Sequence, residues 1–139
     1  MENRPFHYSY LVTDLASTRR FYSEIFGFKE GRSTATWIDF DFFGNQISAH
    51  VAKIIPPPSN SGHVDNVAVP IPHFGALLPL KQFYEIAERL KHAEVRFIIE
   101  PMVRFKDQPS EQATIFLTDF SGNAIEFKSF THEEHIFTL

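Results

Sequence analysis

The feature that most constrains this chain is that it nearly repeats itself. Asp41-Phe42-Phe43-Gly44-Asn45-Gln46-Ile47-Ser48 and Asp119-Phe120-Ser121-Gly122-Asn123-Ala124-Ile125-Glu126 share five of eight residues at a constant offset of 78 (119 − 41). Phe6-His7-Tyr8 corresponds to Pro72-His73-Phe74 at an offset of 66 (73 − 7). A period of this length means two copies of one supersecondary unit, neither of which buries a full core alone. The second copy has gained 12 residues between these two anchors. Because the helices correspond at about the smaller offset, the insertion falls after the second helix.

The unit can be read from the first copy. Phe6 to Val12 is β-prone, and Thr13 and Asp14 offer helix N-caps. From Leu15 to Phe26 the residues Leu15, Tyr22, Ile25 and Phe26 share a helical face, and Gly27 stands where a helix-ending glycine belongs. Phe28 to Arg32 is a short strand, Thr36 to Phe42 alternates apolar with polar, and Gly44-Asn45 turns the chain into Gln46 to Ala52. The order is βαβββ. In the second copy Val69 to Leu78 reads as a strand, Leu80 to His92 as a helix with Phe83, Ile86, Ala87 and Leu90 on its apolar face, and Val95–Glu100, Ala113–Thr118 and Asn123–Phe130 as strands. The expected fold is α+β, built from two pseudo-symmetric βαβββ modules. The first spans residues 1–54 and the second 67–130, with an inserted polar, basic loop at 101–112. A Pro-rich linker at 55–66, extended by Pro56-Pro57-Pro58, separates them, and residues 131–139 form a tail that is either a loose end or a dimer contact.

Composition excludes several classes. Thirteen Lys and Arg against 17 Asp and Glu leave a net charge of −4, so no global basic field draws the chain to nucleic acid or an anionic membrane. No run approaches the roughly 18 apolar residues of a membrane helix. The stretch Met-Glu-Asn-Arg-Pro-Phe-His lacks the apolar centre of a signal peptide, and cytoplasm is the expected compartment. There is no cysteine, so any metal site must be built from His, Asp and Glu.

The repeat places His7 and His73 at equivalent points on the first strands of the two copies, and Glu126 on the closing strand of the second. If the copies pack about a pseudo-twofold axis, the three can meet as a facial triad with open positions left on the ion for substrate, water or oxygen. The position equivalent to Glu126 is Ser48, a poor ligand. Taken singly, each histidine also reads as an ordinary part-buried side chain and Glu126 as a solvated strand carboxylate. Against that, an acid between Ile125 and Phe127 needs either solvent or a cation.

These segments resemble the glyoxalase, bleomycin-resistance and extradiol-dioxygenase superfamily, the vicinal oxygen chelate proteins. The resemblance rests on His7-Tyr8-Ser9 and the Asp14–Gly27 segment, with Arg20-Phe21-Tyr22 before Phe26-Gly27-Phe28, and on the closing Asp119-Phe120-Ser121-Gly122-Asn123-Ala124-Ile125-Glu126-Phe127. It implies paired modules that curl into a mixed sheet around a cleft, with His7, His73 and Glu126 as metal ligands. Glyoxalase I relatives carry a fourth ligand where this chain has Ser48. Extradiol dioxygenases use two His and one Glu on ferrous iron, so the resemblance implies an Fe(II) ring-cleaving enzyme acting on a small aromatic or enediol substrate. Two alternatives stand beside it: a glyoxalase-like lyase or isomerase on Ni, Zn or Mn, and a metal-free drug-binding protein of the bleomycin-resistance kind.

Further candidates lie around that triad. His50, two residues beyond Ser48 on the same strand face, is the candidate catalytic acid or base, a role imidazoles commonly take; otherwise it is a solvated strand end. Ser48 and Trp37 are expected to line the substrate cleft, with Asp39 and Asp41 on the face of Trp37, a face that is otherwise plain surface. Arg104 and Lys106, in the inserted loop, can clamp an anionic substrate or simply face water. His63 has no partner spacing, and His132 and His135 belong to a solvated tail. A homodimer with a small-molecule substrate completes the expectation.

Overall fold

Strand alternation and turn chemistry account for most of the observed elements. The computed structural model describes residues 2–138; the ends of the expected first module and of the tail, Met1 and Leu139, lie outside them. The chain divides into two compact units, Met1–Pro57 with Asp119–Asn123, and Pro58–Thr118 with Ala124–Leu139.

The first unit holds β1 (His7–Val12), α1 (Leu15–Arg19), β2 (Glu30–Ser33), β3 (Trp37–Phe42) and β4 (Asn45–Val51), with sheet order β1-β4-β3-β2. Asp14 caps α1 by accepting from the Ser17 amide at 2.7 Å, and these bonds hold its carboxyl below the usual range. The helix expected to Phe26 remains α-helical only to Arg19, and then widens into a π-type run, Arg20–Ile25, that stops at Gly27 with φ of 77°. This run buries the adjacent Phe21 and Tyr22 completely, and Tyr22 stacks on Phe40 at 5.1 Å. Each such ring contributes roughly 1.5–3 kcal/mol of burial. Ile38, Phe40, Phe42 and Ile47 complete the apolar face of this sheet. The segment Asp119–Asn123 belongs here too. Asp119 accepts from the Tyr22 hydroxyl at 2.9 Å and from the Ser121 and Asn123 amides, while burial pushes its carboxyl above the usual range.

The second unit holds β5 (Asn60–Val64), β6 (Val67–Ile71), β7 (Phe74–Leu77), α2 (Leu80–Lys91), β8 (Arg96–Arg104), β9 (Gln112–Thr118) and β10 (Ala124–Phe130). Its main sheet runs β7-β10-β9-β8, the order of the first sheet with equivalent strands in equivalent places. The register repeats as well. Tyr8 pairs with Ile47 and Ser9 with Ser48, and Phe74 pairs with Ile125 and Gly75 with Glu126. Phe83, Ile86, Ala87 and Leu90 of α2 are buried, as are Ile115, Leu117, Ile125 and Phe127.

Three expectations change. Residues 60–64 of the expected linker form a strand, paired with β6. The hairpin folds because Asp65 takes φ of 52° at its turn and because Val64 and Val69 pack on Ile99, Phe116 and Ala124. The strand expected over Val69–Leu78 is two, since Pro72 has no N–H to donate to a ladder. The loop expected at 101–112 shortens, because β8 continues to Arg104 past register shifts, one of them spanning Pro101.

Candidate functional site

The main sheet of the second unit packs one face on α2 and carries Glu126 on the other. On β10, Ile125 and Phe127 face the core, so alternation sends Glu126 and Lys128 to the opposite side. Glu126 is nonetheless buried, 7 % exposed, which rules out the solvated-carboxylate reading. Its Oε1 accepts from the Thr114 hydroxyl at 3.0 Å. Its Oε2 lies 3.4 Å from His73 Nε2 and 3.5 Å from Lys128 Nζ. The approach of β7 that makes this possible depends on Gly75, where a Cβ would lie 1.6 Å from the Glu126 carbonyl oxygen.

His73 occupies the bend before β7, with its ring against Phe116 at 4.7 Å. Nδ1 lies 2.7 Å from the Pro70 carbonyl. A carbonyl only accepts, so Nδ1 carries a proton and Nε2 is the ring nitrogen that faces the Glu126 carboxylate. A second proton on Nε2 makes the contact an ion pair, a metal ion would bridge it, and Lys128 already stands beside the carboxylate as a cation. The pair opens on a cavity of about 220 Å³ lined by His73, Phe74, Gly75, Ala76, Leu77, Glu126 and Lys128.

In the first unit His7, Ser9, Gln46, Ser48, His50, Trp37 and Asp39 occupy one face by register, since His7 pairs with Gln46, Ser9 with Ser48, Asp39 with Ser48, and Trp37 with His50. His7 is exposed, with Nδ1 2.8 Å from Gln46 Oε1 and Nε2 2.9 Å from Ser9 Oγ. Ser48 is buried and donates its hydroxyl to Asp39. Asp39 is buried as well, and Arg32 reaches to 3.9 Å of it while lying over Trp37 at 6.0 Å. His50 stands beside Trp37, with ring centroids 6.3 Å apart. Its register position is four residues from that of His7, about 13 Å along the strand.

A carboxylate and an imidazole nitrogen are both donor types that suit a divalent cation. The second unit by itself supplies the pair His73 and Glu126. Among the described residues no three His, Asp or Glu side chains form a group ready to hold a metal ion. Arg104 forms a forked pair with Asp65 at 3.0 to 3.3 Å and lies over Phe105, so its charge is matched within the hairpin and β8. Lys106 is exposed on the loop after β8. His132 and His135 are near each other in the tail, with centroids 6.0 Å apart.

Sequence reasoning missed Lys128, Thr114 and Gln46. Lys128 was accessible by alternation from Glu126, and it is the repeat equivalent of His50. Gln46 and Thr114 depend on pairing between strands, which one strand's pattern does not reveal.

A family model described as the Glyoxalase/Bleomycin resistance protein/Dioxygenase superfamily matches residues 4–127. No curated protein sequence matches significantly. Among solved structures, a glyoxalase/bleomycin resistance protein/dioxygenase from Alicyclobacillus acidocaldarius superposes with a TM-score of 0.78 at 26 % identity, covering 97 % of each chain. The fosfomycin resistance protein FosX from Listeria monocytogenes gives 0.71 at 21 % identity, over 98 % of this chain and 100 % of its own. A glyoxalase family protein from Bacillus anthracis gives 0.65 at 15 % identity, over 94 % and 98 %.

Proposed function

This chain belongs to the glyoxalase/bleomycin resistance protein/dioxygenase superfamily, and from that membership together with the His73–Glu126 pair we propose that it is a metal-dependent enzyme acting on a small molecule. His7, His73 and Glu126 are the proposed ligands. The reading is carried by one observation, the 3.4 Å approach of His73 Nε2 to the buried Glu126 carboxylate at the wall of a cavity. Within it the favoured activity is an Fe(II) extradiol-type dioxygenation of a small aromatic or enediol substrate. Supporting this, Ser48 has its hydroxyl committed to Asp39 at the position where a fourth ligand would stand, and a three-ligand set keeps coordination positions open for substrate. The bound ion would supply Lewis-acid activation of substrate oxygens and, as iron, a redox couple.

The protein's own groups then have distinct tasks. His73 and Glu126 would hold the ion from the second unit, and Phe116 and the Pro70 carbonyl keep the imidazole from turning. Lys128 places a positive charge at the cavity wall, where it offsets an anionic substrate oxygen. His50 is the proposed proton carrier, with Trp37 and Ser48 on the same face as substrate contacts; Arg104 and Lys106 are the proposed outer contacts. We propose a homodimer in the cytoplasm, with His7 supplied by the same chain or by a second copy. No helix among the described residues is long and apolar enough to cross a membrane.

Anaerobic loading with iron, followed by oxygen uptake on a panel of catechols, tests the activity. Uptake abolished by Glu126→Ala is the expected result. Turnover of an α-hydroxycarbonyl adduct or epoxide without oxygen, on Ni, Zn or Mn, would replace dioxygenation with lyase or isomerase chemistry. Ligand binding that survives His7→Ala, His73→Ala and Glu126→Ala with no metal in the wild type would replace both with sequestration.

A further inference from the structure

Gln46 joins an exposed histidine to a buried acid. Its Nε2 lies 3.0 Å from Asp39 Oδ2 and its Oε1 lies 2.8 Å from His7 Nδ1. The carboxylate of Asp39 can only accept, and its other oxygen already receives the Ser48 hydroxyl. The amide must therefore turn its N–H to Asp39 and its carbonyl to His7. A carbonyl in that place bonds only to a protonated Nδ1, which leaves the lone pair of His7 on Nε2, where Ser9 Oγ now donates to it at 2.9 Å.

From this geometry we infer that Asp39 and Gln46 are positioning residues: through the chain Asp39–Gln46–His7 they hold His7 in the Nδ1–H tautomer and so keep Nε2 available as a metal donor. The inference rests on the metal-enzyme reading for the use made of His7, but not for the tautomer itself. The burial of Asp39 supports it, since a carboxylate removed from water must be matched by donors, and the hydrogen-bond donors here are Ser48 and Gln46, with Arg32 as a cation at 3.9 Å. The other imidazole achieves the same tautomer against a backbone carbonyl, that of Pro70, which no side-chain substitution can remove.

The test reads the ring nitrogens of His7 by long-range ¹H–¹⁵N correlation in metal-free protein at a pH where histidines are neutral, with His7→Ala identifying the signal. Wild type is expected to show protonated Nδ1 and unprotonated Nε2. Gln46→Leu, at an exposed position, and Asp39→Ala are each expected to shift His7 toward Nε2–H. They should weaken Mn²⁺ binding, measured by calorimetry, about tenfold to a hundredfold. The double variant Asp39→Asn/Gln46→Glu, in which the Asn amide donates to the Glu and the Glu accepts from His7, should keep both tautomer and affinity. Should Asp39→Ala fail to fold, Gln46→Leu and the double variant decide the matter. A wild-type His7 already protonated at Nε2, or a tautomer unmoved by Gln46→Leu, overturns the inference. A tautomer that moves while Mn²⁺ affinity does not would sustain the relay and refute the metal role of His7.

Discussion

The two sheets have the same strand order and the same register, and they treat the same position in opposite ways. In the second, a buried carboxylate occupies β10 and meets an imidazole across β7. In the first, the equivalent residue is Ser48, and the buried acid stands one strand away, at Asp39 on β3, where it reaches its histidine only through Gln46. Repetition fixes where a side chain sits on the sheet, while the residue placed there decides its part: a buried carboxylate beside an imidazole in one sheet, a hydroxyl committed to Asp39 in the other. The turn motif teaches the same lesson. Both Asp41 and Asp119 begin a tight turn with a left-handed glycine, Gly44 at φ of 82° and Gly122 at 87°. Asp41 accepts from one amide, that of Gly44, whereas Asp119 is buried and gathers Tyr22, Ser121 and Asn123.

Paired substitutions at equivalent positions sharpen this contrast. The largest difference is expected at the proposed ligand position. Glu126→Ala should lower Mn²⁺ affinity by more than about a hundredfold, beyond the loss typical of supporting residues, whereas Ser48→Ala changes it only by what the relay through Asp39 transmits. Calorimetry on both variants checks this, and equal losses would erase the distinction. Next comes the position facing it. Gly75→Ala drives a methyl into the β10 backbone and should cost about 3 kcal/mol or more, while Ser9→Ala, on an exposed strand face, should stay within about 0.5 kcal/mol. Urea denaturation measures both.

The turn acids follow. Asp119→Ala leaves a buried hydroxyl and two amides without their acceptor and should cost about 2–3 kcal/mol. Asp41→Ala removes one exposed bond and should cost less than about 1 kcal/mol. The smallest effect separates two acids by the sign of their pH dependence. The Ser17 amide and hydroxyl lower Asp14, so its contribution is present above the ordinary aspartate range and is lost as pH falls through its folded-state value. Asp14→Ala should therefore cost about 1 kcal/mol at neutral pH and nothing in strong acid. Burial raises Asp119, so its own titration favours the fold most in acid and that contribution fades as pH rises through the raised value. Stability measured against pH for the two variants should diverge from wild type in opposite directions.

Much of the architecture was legible because the repeat, the Asp14 cap and the Gly27 stop are local signals. The hairpin at 60–71 was hidden by the prolines before it, although Val64-Asp65-Asn66-Val67 carries a turn signal between β-branched residues. The π-type widening after Arg19 had no legible cause in the apolar spacing. For the site, the equivalence of His7 and His73 and the odd placement of Glu126 between apolar neighbours were readable along the chain. What each imidazole does with Nδ1 was not, since Gln46 and Pro70 become partners only through strand pairing and a bend. Arg104 shows the converse: its charge stood out in sequence, yet Asp65, folded against it by an unforeseen hairpin, already balances it.

The central claim is that one imidazole from each repeat and the acid of the second grip a single ion. Pulsed electron paramagnetic resonance of Mn²⁺-loaded protein, grown with ¹⁵N-histidine, counts the ring nitrogens coupled to the metal. Two coupled imidazoles, falling to one in either His7→Ala or His73→Ala, is the predicted result. A spectrum with no histidine coupling, or one unchanged by both substitutions, would contradict the account.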